Sequence, residues 1–311
     1  MNNFNASYLL YGIIGIVIDY IVITFGIPYV FPNVYRMNSI KNRLDVTNVR
    51  VPLILGACTF DNSRVINTSN PYKNNFIFMP HSNNIKGGSQ FTYTFWLDIK
   101  SNFNTYVDDT VIFMRGVKDR KKGLIDTTKS QNELPLVACP LVKFAKSTPS
   151  RNSPTDKGPL LEVIFNTVNN PHNKVTLNED VYKLITSTNT NRKWFLISIV
   201  FQDYMDFTNN EKGIQIQNYV NDNLVSTKVI KNDSLKLNNC DVHLAPYTES
   251  LENNNSFYAD LTYYNYAMDI LDIEKVYNFG VTNNNLGCLT AENTSATQDD
   301  YYNKLSMNNY L

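Results

Sequence analysis

The chain has 311 residues, enough for one or two domains. Lys plus Arg and Asp plus Glu both number 28, so the formal net charge is zero, which argues against a nucleic-acid partner recruited by bulk charge. Hydrophobic residues make up 43%, sufficient for a packed core, and the scattered excess of Asn, Ile, Tyr and Lys reads as the bias of an AT-rich genome rather than a functional code.

Residues 8–31 are almost wholly apolar. As a helix they would be about 36 Å long, enough to cross a hydrocarbon core of about 30 Å. Asp19 near the middle costs about 2.5–3.5 kcal/mol, less than the summed gain of the surrounding Leu, Ile, Val and Phe at about 0.3–0.6 each. The sequence therefore predicts a single N-terminal membrane span, with a buried globular helix as the alternative. A cleaved signal peptide fits less well, because the leader carries no Lys or Arg and no small-residue cleavage site follows the apolar run. Gly12, Gly15, Asp19 and Gly26, with Val22, fall on one helical stripe and form a candidate membrane-helix interface. A protonated, lipid-facing Asp19 is the other reading of that stripe. Basic residues follow the span, at Arg36, Lys41, Arg43 and Arg50, and none precedes it. By the positive-inside rule the rest of the chain stays on the cytosolic side. The sequons at Asn5, Asn67, Asn232, Asn254 and Asn293 are expected by chance at this Asn content.

Short alternating runs follow. In "FTYTFWLDI" Phe91, Tyr93, Phe95, Leu97 and Ile99 alternate with Thr92, Thr94, Trp96 and Asp98, which predicts a half-buried strand. "TVIFMRG", "PLVACPLVKF", "PLLEVIF", "KVTL", "KWFLISIVF", "GIQIQNYV", "LVSTKVI" and "SFYADLTYYNYA" predict further strands. Residues 116–158 read as long polar loops interrupted by one strand. Asn221-Asp222-Asn223 supplies turn residues for a hairpin. In "MDILDIEKVYNFG" Asp269 caps a helix, Ile273, Val276 and Tyr277 share a face, and Gly280 ends it. Beyond Gly280 periodicity is lost. The resulting division is an anchor at 1–36, a linker at 37–52, an all-β antiparallel sandwich at 53–280 and a C-terminal tail at 281–311.

The order of these runs resembles the laminin-G-like branch of the concanavalin A-like lectin/glucanase superfamily. Trp96, Trp194, Tyr219-Val220-Asn221 and residues 268–277 stand where that family has its aromatic strand, its Lys-Trp strand, its hairpin and its closing strand with a short helix. Asp222 stands where the family usually has Gly. The resemblance implies a jelly-roll β-sandwich and leaves the function open, since the fold hosts lectins, glycosidases and inert modules.

The E-x-D-x-x-E carboxylate set of the superfamily's glucanases is missing, as are G-x-S-x-G, H-E-x-x-H and P-loop strings, so no catalytic residues are expected. Cys58, Cys139, Cys240 and Cys288 form no C-x-x-C pair and are expected as buried free thiols. Cys240 and His243 in "CDVH" have a ligand-like offset, but a chain with three His is not expected to build a metal site around them. Asp108, Asp109 and Asp260 are the acids a calcium-dependent lectin rim would draw on. No cofactor and no metal follow from these residues. The expected function is a non-enzymatic adaptor. A membrane-tethered, laminin-G-like chain of this AT-biased composition resembles the minor virion proteins of nucleocytoplasmic large DNA viruses, and that resemblance implies a minor capsid or virion membrane protein between the inner membrane and the capsid, tethering one to the other, with capsid or membrane proteins as partners. A membrane-anchored lectin-like protein with a glycan partner is the alternative. Trp96 and Trp194 are expected in the core, and the loops between Gly116 and Gly158 as the docking surface.

Overall fold

The computed structural model describes residues 49–60, 63–73, 76–80, 89–98, 111–117, 137–145, 160–170, 172–177, 194–246, 257–281 and 288–290. The expected membrane span lies outside these residues. Among the described residues, no helix is long and apolar enough to cross a membrane.

Fifteen strands and one helix are described: β1 (Arg50–Pro52), β2 (Ile54–Leu55), β3 (Ala57–Thr59), β4 (Arg64–Ile66), β5 (Phe91–Asp98), β6 (Val111–Gly116), β7 (Ala138–Ala145), β8 (Leu160–Phe165), β9 (Asn173–Thr176), β10 (Trp194–Asp206), β11 (Glu211–Val220), β12 (Asn223–Lys231), β13 (Val242–Leu244), β14 (Phe257–Tyr264), α1 (Ile270–Phe279) and β15 (Leu289–Thr290). They form two antiparallel sheets packed as a sandwich. One runs β1-β14-β5-β10-β11-β12, with β3 also on β14, and the other runs β4-β13-β6-β7-β8-β9. β7 is the strand expected to interrupt the polar loops of residues 116–158. β1 pairs with β14 inside the stretch expected as linker, and β15, past Gly280, pairs with β2.

The main core lies between the sheets. Phe91, Tyr93, Phe95 and Leu97 of β5 point into it, as do Ile197, Ile199 and Phe201 of β10, Ile214 and Ile216 of β11, and Phe113 and Val142 from the facing sheet. Burying each such side chain contributes about 1.5–3 kcal/mol. The rings interlock: Phe91 stacks on Phe201 at 4.6 Å, and Tyr93 meets Phe113 at 5.3 Å.

The alternation on β5 keeps its phase, but the strand is not half-buried. All eight of its residues are buried. The reason is α1, which lies on the outer face of the larger sheet. Trp96, Leu196, Val200, Tyr219, Ala259 and Tyr264 form a second apolar cluster there with Met268 and Ile273. The Asp269 carboxylate caps the helix by accepting the Asp272 N–H at 2.8 Å. Gly280, at φ 79°, closes it by donating to the Val276 and Tyr277 carbonyls. Ile273 is fully buried, Val276 and Tyr277 pack beside it, and the Tyr277 ring stacks on Trp96 at 6.1 Å. The Thr92 hydroxyl ties the helix entry down, donating to the Tyr266 carbonyl at 2.9 Å and accepting the Met268 N–H at 3.0 Å.

The hairpin expected at Asn221-Asp222-Asn223 forms, with Val220 opposite Asn223 and Asn221 at φ 58°. Asn221 also accepts the Leu196 N–H through its side chain at 3.1 Å and donates its own N–H to the Leu196 carbonyl at 2.7 Å.

Two further expectations fail. Trp194 is only half-buried, because it is the first residue of β10 and sits at the rim of the sheet. The four cysteines are not all free. Cys58 on β3 and Cys288 form a disulfide across a sequence separation of 230, with Cα atoms 4.6 Å apart. The bond holds residues 288–290 against the sandwich edge, where the Arg64 guanidinium also donates to the Cys288 carbonyl at 2.8 Å. Cys139 and Cys240 remain as thiols.

Trp96→Ala removes the centre of the α1 contact and is expected to cost about 3–5 kcal/mol. Trp194→Ala should cost clearly less. Urea unfolding of both variants, with the same slope as the parent, checks the ordering.

Candidate functional site

The membrane stripe of Gly12, Gly15, Asp19 and Gly26 lies outside the described residues, as do Asp108 and Asp109. Asp260 is described and is a structural residue. It sits at φ 50° in a register break of β14, and its carboxylate accepts the Gly56 N–H at 2.9 Å. A buried carboxylate turned onto backbone in this way is no open calcium ligand.

Cys240 and His243 do not converge with further ligands. Among the described residues, no three His, Cys, Asp or Glu side chains gather around one point. His243 lies on β13, between Val65 and Met114 in register. Asp241, between them in sequence, staples a loop. Burial alone would raise its carboxyl, but the Ser69 hydroxyl and the Thr68 and Ser69 N–H groups outweigh this and hold it below the ordinary value. The two N–H groups donate at 3.0 and 2.9 Å.

The Arg115 charge acts on Tyr93, Tyr263 and Cys139. Burial pushes the Tyr93 hydroxyl up to about 12, with Arg115 pulling it partly back, and pushes the Cys139 thiol up to about 12 as well. The Tyr263 hydroxyl is driven up by the same burial and donates to the Pro80 carbonyl at 2.8 Å. These groups are enclosed by the two sheets, with Tyr93, Tyr263 and Cys139 each almost wholly buried. They stay protonated and form part of the interior.

A candidate surface for recognition lies on the outer face of the larger sheet, where α1 stops. Ile199, Phe201, Ile214 and Ile216 face the core, so the alternate residues Gln202, Tyr204, Gln215 and Gln217 face outward. All four are half-exposed, and Thr227 and Val229 on β12, opposite Gln217 and Gln215, are exposed. The amides form a directed chain. The Tyr219 hydroxyl donates to Gln217 Oε1 at 3.3 Å. The Gln202 amide nitrogen donates to Gln217 Oε1 at 3.4 Å and to Gln215 Oε1 at 3.0 Å. Burial, aided by Asp269, raises the Tyr219 hydroxyl, so it remains a donor. This polarity leaves the Gln215 and Gln217 amide nitrogens as donors toward solvent and Gln202 Oε1 as an acceptor. Tyr204 ends the row. Opposite it is Gly213, where a Cβ would collide with the Ile230 carbonyl. Gly213 therefore leaves no side chain opposite Tyr204.

A planar group of fixed donors and acceptors next to an aromatic ring suits a ligand that offers hydroxyls along its edge and an apolar C–H face. The sequence reading missed this row. Its signal is the outward phase of "GIQIQNYV", where Gln alternates with Ile.

No family model matches the chain, and no curated protein matches it. Among solved structures it is similar to the receptor-binding domain of botulinum neurotoxin D, with 15% identity and a TM-score of 0.41 over 73% of this chain and 43% of that one. It is also similar to the receptor-binding domain of the mosaic serotype C/D, with 15% identity and a TM-score of 0.42 over 75% and 45%. A third is the serotype D ligand-binding domain in complex with N-acetylneuraminic acid, with 16% identity and a TM-score of 0.39 over 73% and 50%. The chain spans half or less of the length of these structures. A likeness this loose assigns neither fold nor ligand.

The disulfide and the two thiols make a direct prediction. Denatured without reductant, the protein should titrate two thiols, and after reduction four. In the native state at pH 8, Cys139 should be inert to a thiol reagent and Cys240 slow, because burial raises both. Four thiols in the unreduced, unfolded chain would contradict the Cys58–Cys288 pairing.

Proposed function

We propose that the sandwich is a non-catalytic, lectin-like binding module that recognises carbohydrate on the outer face of its larger sheet. The observation that carries this reading is the row of Gln202, Gln215 and Gln217 beside Tyr204, half-exposed and beyond the reach of α1, with the amide donors and acceptors already oriented by one hydrogen-bonded chain. The glutamines of the row are held by core neighbours, Gln215 between Ile214 and Ile216 and Gln202 next to Phe201. Little order then remains to be imposed on binding. Placement in the concanavalin A-like superfamily, laminin-G-like branch, belongs to the same proposal. Its support is that β5 with Trp96, β10 with Trp194, the β11–β12 hairpin and β14 followed by α1 occur in the order the resemblance implies.

The N-terminal apolar segment would tether the module to a membrane, on the strength of its sequence alone. The adaptor reading, in which the chain docks on capsid proteins through the loops between Gly116 and Gly158, rests on segments that lie outside the described residues apart from Val117, Val137 and β7. It has no described surface behind it, and the lectin-like reading is preferred for that reason.

The test is an oligosaccharide array probed with the full chain in a non-glycosidic detergent, followed by titration of the best ligand. Tyr204→Ala and Gln215→Ala should each weaken binding tenfold or more, about 1.4 kcal/mol per tenfold, without shifting the unfolding midpoint. Val168→Ser, an exposed change elsewhere, should leave binding unaltered. Absence of any ligand, or binding indifferent to Tyr204 and Gln215, would overturn the reading.

A further inference from the structure

The charges that frame the glutamine row restrict its ligand. At the end near Tyr204, Lys231 on β12 is neutralised by Glu211 on β11, with Nζ and Oε2 2.6 Å apart. Lys231 shares the outward face, since it pairs in register with Gly213. Next to this pair is Asp206, opposite Glu211 on β10 and on the same face. The Asn209 side chain and the Thr208 N–H hold its carboxyl below the ordinary value, so it is ionised throughout the physiological range. At the other end Asp269 is close enough to act on the Tyr219 hydroxyl. Among the described residues at the borders of the row, three carboxylates therefore stand against one ammonium, and that ammonium is already paired. The row itself is made of neutral amides and phenols.

We infer that the site selects neutral, polyhydroxylated oligosaccharides and discriminates against acidic ones such as sialylated or uronate-bearing glycans. This inference rests on the glycan reading of the row and adds the charge class of the ligand. Among the described residues on this face, an acidic sugar meets no ammonium other than the paired Lys231, since Lys212 takes the opposite phase of β11, and it approaches carboxylates of its own sign. A neutral sugar exchanges its water for the amide donors and acceptors without that repulsion. Screening reaches about 10 Å at 0.1 M salt, so the discrimination must shrink as salt rises.

The experiment compares neutral oligosaccharides with their sialylated or uronate-bearing counterparts on the full chain, lactose against sialyllactose among them, at 20 mM and 500 mM salt. The neutral member of each pair should bind at least tenfold tighter at low salt, and the gap should narrow at high salt. Asp206→Asn should narrow the low-salt gap while leaving neutral binding within twofold. Equal or tighter binding of the acidic members, abolished by Tyr204→Ala, overturns the charge inference and leaves the glycan reading in place. Binding of neither class overturns both.

Discussion

The larger sheet is buried on both faces under α1 and loses the outer cover beyond it, and the position of the candidate site follows from that. On the inner side the two sheets meet along the full width of β5, β10 and β11. On the outer side the apolar cover is α1, a helix of 10 residues and so about 15 Å long. β10 has 13 residues and extends about 43 Å. One short helix cannot cover a strand of that length. It covers the end that carries Trp96, Leu196 and Tyr219 and leaves the end that carries Gln202 and Tyr204 facing water. The sequence matches the division: outward positions under the helix are apolar or small, such as Trp96, Ala259 and Val200, and beyond it they become Gln and Tyr. The boundary is Tyr219, packed against α1 through its ring and hydrogen-bonded to Gln217 through its hydroxyl.

Much of this arrangement was legible in local pattern. Alternation on β5 placed its core residues on the right phase, and the cap, face and stop of α1 were readable from Asp269, Ile273 and Gly280, because each depends on residues within one or two turns. Alternation gives the phase of a strand but not what lies over its outer face. Nothing in "FTYTFWLDI" says that residues 268–277 return to cover Thr92, Thr94 and Trp96, so the strand reads as half-buried when it is not. The same limit hid the glutamine row: "IQIQ" reads as an ordinary solvent face unless one knows where the helix ends. Trp194 was misplaced because a strand's first residue has the composition of its core and the exposure of its rim. Asp260 reads as an available acid in sequence, yet a left-handed backbone turn directs it onto Gly56.

The Cys58–Cys288 bond changes one inference about location. Cysteines expected as free thiols would fit a reducing compartment and so support the cytosolic side that the flanking charge indicates. With those two residues bonded, that support is withdrawn, since structural disulfides persist mainly in oxidising surroundings. The flanking charge of Arg36, Lys41, Arg43 and Arg50 then stands alone for the cytosolic orientation. The bond also explains how a stretch with no periodicity of its own adds a strand at the sandwich edge: it closes a loop of more than 200 residues, and β15 pairs with β2 beside it.

The central claim is that the open end of the larger sheet is where ligand binds, and side-chain amide resonances report on it directly. The full chain, labelled with nitrogen-15 and held in a non-glycosidic detergent, would be titrated with the tightest neutral oligosaccharide from the array. The Gln202, Gln215 and Gln217 side-chain amides should shift together and saturate at one Kd, while the amides of β7 and β8 on the opposite sheet stay in place. Saturable shifts confined to the opposite sheet or to the loops, with the three glutamines unmoved, would contradict the account.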